Sequence, residues 1–220
     1  MIEDLKMDTT TMKVGSAAAL AVGAAASAAK AAQPAAVAEL IANLKGKDEK
    51  VRGMAWQHAD VAGVPAIKPL ADVMADKDFN VARAAKRATW KIVRDAGRPE
   101  AAELRKAVVG ELLGLLGDDR PAAVRREVLW MLSEIGCCET VEPMAQLLSN
   151  KELREDARMA LQRIPGEKSL AALKAGLEAA PEDFKINIAQ SLRARGVDVP
   201  GIPCRKLVPT KKTKVKPVGR

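Results

Sequence analysis

Aromatic side chains are almost absent from this 220-residue chain, which has two phenylalanines, three tryptophans and no tyrosine. Its core must therefore be built from Ala, Leu, Val, Ile and Met, and an aromatic-rich surface for stacking bases is excluded. His58 is the only histidine, so neither a histidine-based metal site nor a Ser-His triad with a spare base can be assembled. Cys137 and Cys138 are adjacent and Cys204 stands near the end. Three is not the even count of a disulfide framework, and neighbouring cysteines rarely bridge, so the thiols read as reduced and inert. No run is long and apolar enough to cross a bilayer. The glycines fall where helices end, not in a phosphate-cradling loop. No catalytic residue, cofactor or metal ligand is assigned, and the chain reads as a non-enzyme.

What the chain does have is a repeat. Val124, Val128, Leu132 and Ile135 recur at steps of four, four and three, which places them on one helical stripe. Gly136 is expected to end that helix in a left-handed cap. Val141, Met144, Leu147 and Leu148 mark a second helix, with Pro143 in its first turn. The pattern restarts at Leu153, Ala157, Leu161 and Ile164, is broken by Pro165-Gly166, and continues with Leu170, Leu173 and Leu177.

Fixed-period self-similarity marks stacked helical repeats. Positions equivalent to Val124 are Val51, Val81, Leu153 and Phe184, and the five anchors are spaced by 30, 43, 29 and 31 residues. Partner helices align independently on Val37, Ile67, Val109, Val141 and Leu170. The single long spacing falls at DAGRPEAAELRKAV, where a longer helix is expected to open after Pro99 and run to Leu116. Asp48 and Asp78 stand where they would cap the helices of Val51 and Val81. Asn187, Gln190 and Arg193 would suit a water-facing side of the last helix.

The segments DEKVRGMA, AAVRREVLWMLSEIG and KELREDARMALQRIPG resemble the first helices of HEAT repeats, in the short variety of the phycobilisome-lyase type. The resemblance covers roughly Val37 to Gly196 and implies an all-α, right-handed α-α superhelix of about five helix pairs. It also implies a protein-binding scaffold, although the fold by itself names no activity. A bilin-lyase-like accessory role is the subtype's implication, and no catalytic motif here carries it.

Charge divides the chain further. After residue 196, Arg205, Lys206, Lys211, Lys212, Lys214, Lys216 and Arg220 face Asp198 alone, so the tail holds +6 of the formal +8. The repeats are close to neutral, and the proline-interrupted tail should be flexible and able to bind nucleic acid weakly and without sequence preference. Three regions are expected: an N-terminal segment over 1–34, the repeat domain over 35–196 and the basic tail over 197–220. The alanine-rich segment has two readings. A start at Met12 would give Lys13 as a basic leader end, Ala19 to Ala26 as its apolar part and Ala29-Lys30-Ala31 as a cleavage site, with export as the consequence. Glu3, Asp4, Asp8 and the preference for alanine over leucine favour instead a cap helix of a cytoplasmic protein.

The leading function is a scaffold that binds an unknown protein partner on the surface of its second helices, with Lys68, Asp72, Gln146 and Lys174 as exposed contact positions. The tail residues Arg205, Lys206, Lys211, Lys212, Lys214 and Lys216 are the alternative, as a site for nucleic acid or another anionic partner. Arg52, Arg125 and Arg154, each following an anchor, are expected to pair between neighbouring layers. Trp56, Trp90 and Trp130 lie at different offsets from their anchors and are expected to fill the core singly or pack at edges. Cys137 and Cys138 follow the Gly136 cap, where a helix N-terminus would lower a thiol pKa and give a redox or bilin-attachment reading.

Overall fold

A computed structural model describes residues 34–117 and 119–204, and these contain ten α-helices and no strand. Both readings of residues 1–31, as leader or cap, lie outside the described residues, as do the tail cations from Arg205 onward. The helices are α1 (34–45), α2 (Glu49–Gln57), α3 (Ile67–Val73), α4 (Phe79–Ala96) and α5 (Ala102–Gly117). They continue as α6 (Ala122–Ile135), α7 (Val141–Gln146), α8 (Arg154–Arg163), α9 (Glu167–Ala179) and α10 (Glu182–Ala194). All five anchors lie on or one residue before the even-numbered helices, and all five partner positions lie on the odd-numbered ones. The chain divides into two compact units, with the boundary after Val124.

In the first unit α2 and α3 pack on α4, and α3 and α4 pack on α5. Asp48 caps α2 by accepting from the Lys50 and Val51 amides, and Asp78 caps α4 in the same way through Asn80 and Val81. The long repeat spacing is taken up by an 18-residue α4 and a 16-residue α5. Leu44, Ile67, Leu70, Ile92 and Leu112 are buried. Val51 departs from its expected place. Its equivalents Val81, Val124, Leu153 and Phe184 are at most 5% exposed, whereas Val51 is 41% exposed. Periodicity puts Val51 on the stripe, yet it stays exposed, and α2 has no buried residue at all.

In the second unit α7 packs on α8 and α9, and α10 closes on α8 and α9. Leu129, Met131, Leu132, Met144, Leu153, Leu161 and Phe184 are fully buried, and Phe184 is the one aromatic ring among such described side chains. Gly136 does end α6, but not through a left-handed cap, since it is not among the positive-φ glycines. A Cβ there would lie 2.5 Å from the Leu132 carbonyl oxygen and 2.7 Å from Thr140 Oγ1, so glycine is required by close approach. Gly166, before α9, is one of the glycines with positive φ, at +98. There the Pro165-Gly166 turn needs it.

Long arginines close helix ends that sequence spacing does not reveal. Arg52 donates to the Leu44 carbonyl in the last turn of α1 and the Gly46 carbonyl just beyond it, at 3.1 and 2.6 Å. Arg195 donates to the Ile164 and Gly166 carbonyls beyond α8, both at 2.9 Å. Each satisfies acceptors that a helix C-terminus leaves open. The water-facing side expected for α10 is only partly so. Gln190 is exposed, but Asn187 bonds Glu155, and Arg193 bonds the Val199 carbonyl at 2.9 Å and also that of Ile202. Residues 197–202 are thereby held back against α10, with Val199 only 8% exposed.

Candidate functional site

Lys68 and Asp72 lie on α3, Gln146 on α7 and Lys174 on α9, and all four are exposed. The first two belong to the first unit and the last two to the second. Asp72 is engaged: Arg120 holds its carboxylate at 2.5 Å. Gln146 and Lys174 are sequence neighbours of Ala145 and Ala175, which line an open apolar groove of about 390 Å³ between α7 and α9. Leu148, Ala172, Gly176 and Ala179 also line it. A Cβ on Gly176 would come within 2.5 Å of Leu148 Cδ1, so the glycine lets α9 lie close on the turn that follows α7. Polarity-based reading named none of the residues that line this groove. The available signal was the row of small residues at 172, 175, 176 and 179, spaced so that they share one face of α9.

Arginines tie the first helices of the second unit to one another. From α8, Arg154 holds Asp183 of α10 at 2.5 Å, and Arg163 holds Glu134 of α6 at 2.5 Å. Arg126 of α6 lies 3.5 Å from Asp156 of α8. Arg158 pairs with Glu155 at 2.8 Å and reaches Ser191 of α10. Arg154 therefore pairs between layers as expected, while Arg52 caps α1 instead. The Arg154 guanidinium beside Asp183 holds that carboxyl below its ordinary value, chiefly through the hydrogen bond between them. The tryptophans are half-buried, each with a guanidinium over its ring: Arg87 over Trp56, Arg94 over Trp90 and Arg163 over Trp130. They pack at edges and present no open stacking row.

Cys137, Cys138 and Glu139 offer ligand atoms within 4.8 Å of one another. They are the one grouping among the described residues with the donors for a metal, and they sit on an exposed turn rather than in an enclosed site. The Cys138 thiol is pushed up, first by its hydrogen bond with Cys137 and then by the Cys137 charge. That is opposite to the direction expected for a helix N-terminus. No helix among the described residues is long and apolar enough to cross a membrane.

No curated protein matches the chain. Residues 109–193 match the family model described as HEAT repeats, from the middle of α5 to the end of α10. The match is to the general repeat and does not single out the lyase-type variety. Across residues 109–193, the chain is therefore similar to HEAT repeats.

Proposed function

We propose that the chain is a non-enzymatic scaffold that binds an apolar segment of a protein partner in the groove between α7 and α9. HEAT repeats generally mediate protein–protein interaction. The observation that carries the reading here is the groove itself. Its floor of Leu148, Ala172, Ala175 and Gly176 is apolar and open, and the exposed Gln146 and Lys174 adjoin lining residues in sequence. A helix laid along such a groove would bury side chains spaced by three and four residues. Lys68 and Asp72 on α3 are further contact positions on the second helices of the first unit.

Affinity capture from native extract tests this with the full chain and with Ala175→Glu and Ala179→Glu. Both positions line the groove and are exposed, so the fold should survive, as circular dichroism would verify. A partner captured by the wild type and lost from both variants supports the groove. Equal capture by all three proteins overturns it.

The basic tail carries a second reading. Six cations between Arg205 and Lys216, with no intervening acid, give that segment an affinity for polyanions that depends on charge alone.

A further inference from the structure

In the second unit Arg126, Arg154 and Arg163 are matched by carboxylates across successive first helices. The first unit is different. α4 carries Arg83, Lys86, Arg87, Lys91 and Arg94 against Asp95 alone. Between α2 and α4 runs an open groove of about 290 Å³, lined by Lys50, Trp56, Asn80, Arg83 and Arg87, with Glu49 as its one acid. Arg87 lies over the Trp56 ring at 5.3 Å, and Arg83 over Phe79 at 5.4 Å with a 3.3 Å contact to Asn80. Neither arginine, nor Lys50, pairs with a carboxylate among the described residues. Arg83 and Arg87 are also one turn apart on the same face, where like charges repel. Phe79 sits at the start of the same helix and is 71% exposed.

We propose that this groove between α2 and α4 binds an acidic peptide segment of a partner protein. Lys50, Arg83 and Arg87 would receive its carboxylates, and Phe79 would receive an apolar side chain beside them. Charge complementarity sets the sign of the occupant: three cations without acidic partners face a groove with a single acid. Two features favour a peptide over a nucleic acid. The groove lining contains one ring, Trp56, and that ring carries a guanidinium, so it offers no pair of rings for successive bases. The exposed Phe79 has an obvious use against an apolar side chain and little against a phosphate backbone. This site lies on a different unit and on the first helices, so it stands or falls separately from the α7–α9 groove.

The test uses the full chain and a fluorescein-labelled peptide of Glu and Asp with one central Leu, read by anisotropy. Arg83→Gln/Arg87→Gln should weaken binding about tenfold or more, because two charge-assisted contacts are lost. Phe79→Ala should weaken binding of this peptide and leave a version with central Gly unaffected. Replacing Lys211, Lys212, Lys214 and Lys216 by Gln should leave the Arg83/Arg87 effect intact. Both arginines are exposed, so the variants should fold, and their helix content is checked alongside. Peptide binding that survives the groove substitutions but is lost with the tail substitutions overturns the proposal. So does an oligonucleotide of equal charge that binds more tightly than the peptide and loses affinity in the groove variant.

Discussion

Arg154 of α8 reaches Asp183 of α10 and in the same pose lies 4.6 Å from the centre of the Phe184 ring. One side chain thus pairs a charge and covers the only fully buried aromatic ring among the described residues. Asp183 has an ordinary pKa of 3.8 and is held below it by this contact. A carboxyl depressed in the folded state stabilises the fold above its unfolded pKa and loses that contribution as pH falls through the folded value. Asp183→Asn should therefore be less stable than the wild type at neutral pH, with the gap closing below about pH 4. Urea midpoints for both proteins across that range check this. The carboxylate is exposed, so the gap should be small.

Leu132 is fully buried on the α6 stripe. Leu132→Ala should cost about 2–5 kcal/mol, measured by chemical denaturation. A loss below about 0.5 kcal/mol would place it outside the range for buried leucines and contradict its packing.

Two glycines should respond differently to the same methyl group. At Gly136 the methyl meets the Leu132 carbonyl, which is backbone and cannot turn aside, so Gly136→Ala should cost about 1–3 kcal/mol. At Gly176 it meets the tip of the flexible Leu148 side chain, and alanine also gains about 1 kcal/mol of helix propensity there. Gly176→Ala should be the milder of the two. The same urea experiment ranks them, and the reverse order would contradict the contacts described above.

Deleting residues 205–220 should abolish retention on nucleic acid at low salt and leave the melting curve nearly unchanged. Starting the deletion at 197 should lower the melting temperature as well, because Arg193 then loses the carbonyls of Val199 and Ile202. Salt-resistant nucleic-acid binding by the shorter deletion would assign that affinity to the repeats instead.

The repeat was legible because each anchor is apolar at a constant helical phase, and Asp48 and Asp78 were legible because a cap acts within three residues of itself. Contacts made by long side chains were not. Arg195 reaches Ile164 and Gly166 from 31 and 29 residues away, and no spacing rule encodes such a reach. The exposure of Val51 was hidden for a related reason: a stripe says which face is apolar, not what covers it. Net charge concealed the α2–α4 groove, because the near-neutral sum over the repeats averages a basic α4 with acids elsewhere. The start of the tail was drawn at 197 from its prolines and charge, while Arg193 ties the chain as far as Ile202.

The scarcity of rings has an optical consequence. With no tyrosine, emission excited in the near ultraviolet comes from three indoles alone, and each lies beneath a guanidinium. Trp56 and Trp90 belong to the first unit and Trp130 to the second. Trp130→Phe would leave a protein whose emission reports only the first unit, and Trp56→Phe/Trp90→Phe one that reports only the second. The chain therefore carries its own separate thermometers for its two halves, and comparing their transitions would measure directly how cooperatively the array melts.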